Sequence, residues 1–223
     1  MKAAAASLVV LAALAPSALG NVIYSNDFES GVIGPEWSSN TYTSEAPIFT
    51  RFNGRYSPGY TELTLAHPNV TTPANGLGDG LTRFRLNFDL YAIDSWDGDA
   101  VAEYAPSLMG PDSFRVLVNG DIVFDETLSN MPGASQTMRQ PDVGPTHLGY
   151  NSTYLDSIYR GISVEFTVPA GEPLVIRWED SGIEGLTYES WGIDNVTVSV
   201  MSVPTPGSIA LLLAGVATLR RRR

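Results

Sequence analysis

Apolar and polar residues alternate over several short stretches of the chain, the pattern typical of half-buried β-strands. Residues 86–90 read Leu-Asn-Phe-Asp-Leu, and residues 114–118 alternate in a similar way before an Asn119-Gly120 hairpin turn. Residues 131–157 show no such pattern and are predicted to form a long surface excursion. The predicted strands are Val22–Tyr24, Tyr60–Leu65, Thr82–Tyr91, Ser113–Val118, Ile122–Phe124, Gly161–Val168, Leu174–Trp178 and Trp191–Val200.

The spacing of these strands indicates the fold class. Gly- and Pro-containing turns separate them, and almost no helical periodicity is present between residues 21 and 202. Many short strands joined by such turns are typical of sandwiches and jelly rolls. We therefore expect an all-β protein with one jelly-roll β-sandwich domain at residues 21–202.

The first 20 residues have the layout of a secretory signal peptide. Lys2 precedes an apolar run, and the small residues Ala18 and Gly20 stand where a cut before Asn21 requires them. The alternative is a buried N-terminal helix. A signal peptide predicts an exported protein.

Residues 203–223 combine a Pro-containing lead, an apolar stretch and four terminal arginines. The stretch from Ile209 to Leu219 has eleven residues. As a helix it would be about 16 Å long, against about 30 Å for the hydrocarbon core of a bilayer. The arginines would stay on the cytoplasmic side. The tail therefore predicts transient or permanent membrane association, and it is marginal as a permanent anchor.

Charge and composition exclude several classes of function. Residues 21–202 contain eight Arg, no Lys and 24 acidic residues, which gives this region a formal charge of −16. Such a charge argues against binding nucleic acid and favours divalent cations, although a salty habitat would also select it. The chain has no Cys and two His, so disulfides, Cys-ligated zinc and thiol catalysis are excluded.

The tail resembles the PEP-CTERM sorting signal of bacterial exported proteins. The resemblance rests on Val203-Pro204-Thr205-Pro206, the apolar stretch and the Arg cluster, although the family usually has Pro-Glu-Pro at the lead. It implies recognition in the membrane by an exosortase-type enzyme, cleavage near the Pro motif, and a location at the cell surface or outside the cell. The alternative is a plain C-terminal membrane anchor.

The body resembles a bacterial secreted β-sandwich module and the concanavalin-like and MAM-type jelly rolls. The strings that carry this resemblance include Asp27-Phe28-Glu29, Arg51-Phe52-Asn53-Gly54-Arg55-Tyr56, Asp94-Ser95-Trp96-Asp97-Gly98 and Glu189-Ser190-Trp191-Gly192-Ile193-Asp194-Asn195-Val196. One departure is Tyr188, where an Asp often stands. The resemblance implies a fold and an exterior location, and little about a ligand.

A first candidate calcium site is the acidic loop from Asp94 to Asp99. It carries Asp94, Asp97 and Asp99, and Gly98 permits a tight turn. If residues 86–93 and 113–118 pair as antiparallel neighbours, Asp112 returns close to this loop. Calcium takes six to eight oxygen ligands, of which these side chains would supply three or four. The alternative is a solvated acidic turn.

A second candidate calcium site combines Asp27 and Glu29 with Asp194 and Asn195. The first and last strands of jelly rolls commonly lie side by side, which would bring these residues together. The resembling families hold a structural calcium (Ca2+) in such a place. The alternative is a set of surface residues at strand ends.

Aromatic residues offer a possible sugar-binding surface. Trp96 stands in an acidic loop and is the best candidate for an exposed ring, whereas Trp178 lies in an apolar strand and is predicted to be core. We also take Glu189 and Trp191 as candidate ligand-binding residues, and Tyr42, Tyr56 and Tyr60 as possible groove-lining residues.

The sequence thus predicts an exported, surface- or matrix-associated protein with a structural or adhesive role, stabilised by calcium. The alternatives are a carbohydrate-binding module for extracellular polysaccharide and a glycan-cleaving enzyme. No nucleophile elbow, zinc-protease motif or P-loop is present, so no catalytic residue is predicted.

Overall fold

The structure is a computed structural model that describes residues 21–39, 43–46, 48–65, 80–99 and 110–201. These residues form eleven β-strands. The strands are β1 (Asn21–Asn26), β2 (Thr43–Ala46), β3 (Phe49–Tyr56), β4 (Tyr60–Leu65), β5 (Leu81–Asp94), β6 (Ser113–Val118), β7 (Asp121–Thr127), β8 (Val143–Thr146), β9 (Asp156–Pro169), β10 (Leu174–Ser181) and β11 (Glu189–Val200).

The strands form two antiparallel sheets. The seven-stranded sheet has the order β2-β3-β11-β5-β9-β8, with β1 paired to the second half of β11, and the four-stranded sheet has the order β4-β10-β6-β7. The chain crosses between the sheets repeatedly from β3 to β11, as in a jelly roll. The expected jelly-roll β-sandwich is confirmed; the predicted signal peptide and sorting tail lie outside the described residues.

The main core lies between the two sheets. On β5 the even-numbered residues from Phe84 to Ala92 point inward and are almost inaccessible to solvent. On the opposite sheet Trp178 of β10 is fully buried, with its ring centroid 6.0 Å from that of Phe88. Successive side chains of a strand point to opposite faces of the sheet, so apolar residues at every second position place one apolar face of β5 in the core.

A second, smaller core covers the outer face of the seven-stranded sheet. Phe52, Tyr91, Ile93 and Ile158 pack there against Leu148, which follows β8. The predicted surface excursion is therefore wrong in part. Residues 143–146 form an edge strand, Leu148 closes an apolar cluster, and β9 begins at Asp156 rather than at Gly161.

Three strands have no counterpart in the sequence prediction: β2, β3 and β8. Strand β3 is covered on both faces, so its buried positions do not alternate, and Phe52, Asn53 and Gly54 are all inaccessible. Strand β8 is an exposed edge strand that contains Pro145. Proline has no N–H to donate to a neighbouring strand, so it is found at sheet edges, where no such bond is needed.

One end of the sandwich collects the ends of several strands from both sheets. Strand β5 ends at Asp94 and β10 at Ser181, while β6, β9 and β11 begin there. Glu189 pairs with Asp94 across the large sheet, and Ser181 pairs with Ser113 across the small one. This end brings together acidic residues that are far apart in the sequence.

Candidate metal centre

Three acidic side chains meet at this end of the sandwich: Asp97, Asp112 and Glu189. Each contributes an oxygen that lies within 4.8 Å of the oxygens of the other two. All three residues are buried, with exposed fractions of 7%, 1% and 1%. We call this group the carboxylate cluster; its residue types and spacing would allow it to hold a metal ion.

Asp97 and Asp112 are joined through the turn that follows β5. The Asp97 N–H donates to Oδ2 of Asp112 over 2.6 Å, and the Asp112 N–H donates to the Gly98 carbonyl over 3.0 Å. Gly98 has a φ of +70°, and a Cβ there would lie 2.3 Å from the Ser135 carbonyl oxygen. Only glycine therefore permits this turn.

Glu189 reaches the cluster from the first position of β11. Its Oε2 accepts a hydrogen bond of 2.5 Å from the Glu184 N–H. The loop that precedes it also packs on the cluster, because a Cβ at Gly182 would lie 2.2 Å from the Pro111 carbonyl oxygen and 3.3 Å from Oδ1 of Asp112. The backbone therefore lies directly against the Asp112 carboxylate.

One oxygen of the cluster lacks a partner. Oδ1 of Asp112 is inaccessible to solvent and has no hydrogen-bond partner among the described residues. A buried carboxylate oxygen without a donor is costly, since it loses its hydration and receives nothing in exchange. The position requires either a proton or a cation.

The electrostatics of the cluster agree with this requirement. Burial raises the pKa of Asp112 to about 6 and that of Glu189 to about 8. Repulsion by Asp97 adds to both shifts and repulsion by Asp112 adds to that of Glu189, whereas a hydrogen bond with the Glu189 side chain lowers the pKa of Asp112. Burial also raises the pKa of Asp97. Within the described part of the chain, no Arg forms an ion pair with any of the three. A bound cation would stabilise all three in their ionised form.

The first candidate site predicted from the sequence is assembled only in part. Asp97 and Asp112 do meet, but Asp94 instead pairs with Arg55 at 2.7 Å, and Asp99 accepts a hydrogen bond of 2.5 Å from Thr127. The predicted pairing of residues 86–93 with 113–118 is wrong, because these strands lie in different sheets. Asp112 nevertheless approaches Asp97, since the turn after β5 crosses from one sheet to the other.

Glu189 was predicted as a ligand-binding residue, not as part of an acidic cluster. The sequence signal is its position two residues before the last predicted strand, which begins at Trp191. Recognising the cluster requires knowing that this strand begins at the end of the sandwich where Asp97 lies.

The second candidate site is not assembled. The expected adjacency of the first and last strands is confirmed, since Asn26 pairs with Val196. Among the described residues, however, three acidic side chains with closely spaced ligand atoms are found at the carboxylate cluster and not at this second site.

The individual side chains of this second site explain why. Asp194 is 1% exposed and accepts hydrogen bonds from Tyr91 Oη (2.7 Å) and Thr50 Oγ1 (3.1 Å). Asp27 accepts a hydrogen bond from the Glu29 N–H in an exposed turn, and Asn195 donates to Asp89. Asp194 and Asn195 are therefore bonded to residues outside the predicted set.

The predicted sugar platform at Trp96 and Trp191 is wrong. Both rings are fully buried, with Trp96 Nε1 donating to the Ser190 carbonyl and Trp191 Nε1 donating to Asp180. In the loop around Trp96, Asp97 belongs to the carboxylate cluster and Asp94 pairs with Arg55. The indole of Trp96 packs in the core. Tyr60 and Tyr188, in contrast, are 49% and 48% exposed.

Arg55 organises a second polar group beside the cluster. Its Nη2 bonds Oδ2 of Asp94, its Nε donates to Ser190 Oγ over 2.8 Å, and its guanidinium lies 4.6 Å from the Tyr150 ring centre. Burial raises the pKa of Asp94 to about 6, Arg55 lowers it, and the nearby Asp156 carboxylate raises it.

The sequence matches no protein-family model and no curated protein. The solved structures that resemble the chain include two at 12% sequence identity. The CBM22-1 xylan-binding domain of Paenibacillus barcinonensis Xyn10C matches 85% of this chain and 100% of its own, with a TM-score of 0.38. Dimeric latent PorU from Porphyromonas gingivalis matches 85% of this chain and 14% of its own, with a TM-score of 0.42.

The fold assignment therefore rests on the strand order and the core described above, and not on these similarities. In the part of the chain that the structure covers, no helix has the length and apolar character needed to cross a membrane.

Proposed function

We propose that this chain is an exported, surface- or matrix-associated β-sandwich protein with a structural or adhesive role, and that calcium bound at the carboxylate cluster stabilises it. The observation that carries the proposal is the buried group of three carboxylates, one with an unpartnered oxygen. The signal peptide and sorting tail predicted from the sequence support the exported location. Recovery of the protein outside the cytoplasm is the first requirement of the proposal.

Calcium suits the cluster better than a softer metal. It takes oxygen ligands at flexible geometry, and the three carboxylates are ligands of that kind. The described residues near the cluster offer no His or Cys ligand, which zinc or copper would favour. The ion would join the turn after β5, the start of β6 and the start of β11. In a chain without Cys, it would do the work of a cross-link.

Calcium is expected to raise the melting temperature of the protein by about 5–10 °C. A ligand that binds only the native state at 100 times its dissociation constant stabilises it by about 2.7 kcal/mol, and about 2–4 °C accompanies each kcal/mol in a domain of this size. The measurement is thermal unfolding with millimolar calcium and with chelator. The Asp112→Asn variant should lose the shift, and its melting temperature in chelator should be equal or higher because one buried charge is gone.

Glu172→Gln is the matched control. Glu172 lies in the exposed turn between β9 and β10, so removing its charge should leave the calcium shift intact. A wild-type protein that melts at the same temperature with calcium and with chelator would contradict the proposal. So would an unchanged shift in Asp112→Asn.

Carbohydrate binding is the second candidate function, and the exposed ring of Tyr60 favours it. Arg177 stands 4.2 Å from the centre of this ring and is itself held by Glu62, so the ring is fixed on the outer face of the four-stranded sheet. Fixed aromatic rings beside charged hydrogen-bonding groups suit the faces and hydroxyls of sugars.

The Tyr60→Ala variant is expected to lose retention on insoluble extracellular polysaccharide while its melting temperature changes little. Tyr188→Ala, which removes a tyrosine of equal exposure elsewhere, is the control and should be retained like the wild type. Passage of the wild type through a panel of polysaccharides without retention would reject this second function.

A further inference from the structure

The second half of β9, residues 162–169, is an uncovered edge of the seven-stranded sheet. On one side it pairs with β5 in an uninterrupted register that ends with Pro169 opposite Leu81. On the other side β8 pairs only with Asp156 and Ile158, and in the described part of the chain no strand runs beside residues 162–169. We call this segment the β9 edge. Such an edge presents a row of unpaired N–H and C=O groups to which another strand can bond.

The other sheet edges among the described strands carry features that hinder such pairing. Strands β2 and β8 have four residues each, and β8 contains Pro145. The edge of β4 is occupied, since the Thr64 N–H donates to the Glu36 carbonyl. The pairing of β1 is irregular between Val22 and Tyr24. Short strands, prolines and irregular pairing are the usual protection of sheet edges, and the β9 edge has none of them before its last residue.

Charge distinguishes the β9 edge from the remaining edge, that of β7. Strand β7 carries Asp121, Asp125 and Glu126, so two copies of it would repel each other. The exposed side chains of the β9 edge include one acid, Glu165, and Nη2 of Arg85 on β5 lies 2.5 Å from its Oε1. The β9 edge is therefore nearly neutral in a domain whose formal charge is −16. Two copies of the domain can approach each other there with little repulsion.

The β9 edge is also complementary to itself. Its apolar side chains, Ile162, Val164, Phe166 and Val168, point inward and are at most 8% exposed. An antiparallel second copy related by a two-fold axis at Val164 would place Ile162 opposite Phe166 and Ser163 opposite Glu165. Pairs of β-branched and aromatic residues stabilise antiparallel sheets, and in this register the two Glu165 side chains are not directly opposite each other.

A cleft beside the β9 edge leaves room for the side chains of an added strand. It has a volume of about 350 Å³ and is lined by Val118 and Val123 of the four-stranded sheet and by Phe166 and Val168 of β9. The inward side chains of a strand added to β9 would point to the side on which this cleft opens. They would thus continue the core between the two sheets.

We propose that two copies of this chain associate through their β9 edges, as an antiparallel pair with its two-fold axis at Val164, so that the two seven-stranded sheets form one continuous sheet. Such an interface uses the same surface on both copies and closes on itself, which gives a dimer rather than a filament. The inference goes beyond the proposed function and does not depend on the calcium site. A dimer would present two identical domains in a fixed arrangement.

The test is sedimentation velocity across a wide range of protein concentrations, in calcium and in chelator, and the wild type is expected to form a dimer. Ser163→Glu introduces two symmetry-related pairs of like charge with Glu165 and should weaken the association about tenfold. Ser163→Arg introduces two pairs of opposite charge and should strengthen it by a similar factor. Both variants should melt near the wild-type temperature, because Ser163 is exposed.

Thr64→Glu is the matched control. Thr64 is an exposed strand residue at the occupied edge of β4, so the added charge should leave the association unchanged. Amide hydrogen exchange gives a second readout, because exchange in residues 162–168 should become slower as the protein concentration rises.

The possible outcomes separate this inference from the proposed function. A protein that stays monomeric at every concentration overturns the dimer, whether or not calcium binds. A dimer that neither substitution of Ser163 affects has its interface elsewhere, which also overturns the proposal. Weakening by both substitutions would keep the interface at the β9 edge and overturn the register. Weakening by Ser163→Glu with strengthening by Ser163→Arg supports the pairing as proposed.

Discussion

Replacing Trp191 by Ala is expected to lower the free energy of unfolding by about 4 kcal/mol, within the range for large aromatic residues in cores. Its ring is fully buried at the start of β11, 5.0 Å from the Phe114 ring and 4.8 Å from the Tyr56 ring between centroids. The cavity would open beside both sheets. Urea denaturation monitored by circular dichroism measures the loss.

Part of that loss comes from a hydrogen bond. Trp191 Nε1 donates to Oδ2 of Asp180 over 2.7 Å, and this bond holds down a pKa that burial raises. Trp191→Phe keeps most of the ring volume and removes the donor, so it should fall between wild type and Trp191→Ala. Tyr188→Ala is the exposed control, expected to cost less than about 1 kcal/mol. A loss in Trp191→Ala no larger than in that control would refute the role of Trp191 in the core.

Replacing Arg55 by Met is expected to cost about 3 kcal/mol, since it leaves Asp94 buried without its partner. Asp94 is 1% exposed, and its other oxygen already lacks a hydrogen-bond partner among the described residues. Adding Asp94→Asn to Arg55→Met removes the buried charge and should restore much of the stability. In a double-mutant cycle, a coupling energy near zero would show that the pair contributes nothing.

The cost of Arg55→Met should also depend on pH. Arg55 lowers the pKa of Asp94, which burial has raised to about 6, so its loss moves that pKa further up. Above about pH 6 the folded wild type has released the Asp94 proton while the folded variant still holds it, so the deficit of the variant grows as pH rises from 6 towards the raised pKa. Below about pH 6, Asp94 is protonated in both folded proteins and the deficit is smallest. Arg85→Met, at an exposed pair with Glu165, should show neither a large cost nor this pH dependence.

Alternation along the chain predicts those parts of the fold in which one face of a strand is buried. Strand β5 shows this clearly, with inward Phe84, Leu86 and Phe88 and outward charged or amide neighbours. The pattern fails for β3, because Phe52 packs into the outer cluster while Asn53 and Gly54 are buried as well. No local property of residues 49–56 indicates that another segment covers them.

The candidate site could be predicted only as far as its local turn. Asp97 and Gly98 identify an acidic turn, and Asp112 was correctly expected nearby, although through a wrong strand pairing. Glu189 lies 77 residues beyond Asp112 in the sequence and joins the cluster only through the order of strands in the large sheet. The burial of Trp96 likewise depends on the turn crossing from one sheet to the other, which the composition of the loop does not reveal.

The pairing of β1 with β11 determines how this domain would bear a mechanical load. Asn21 lies opposite Val200 in an antiparallel pair, so a force pulling these two residues apart would open the hydrogen bonds one after another. A force that enters at Val200 and is resisted at the carboxylate cluster runs along the whole of β11. It would have to shear the bonds to β1, β3 and β5 together. The sandwich is therefore expected to resist little force between Asn21 and Val200, and much more force along β11 between Val200 and the carboxylate cluster.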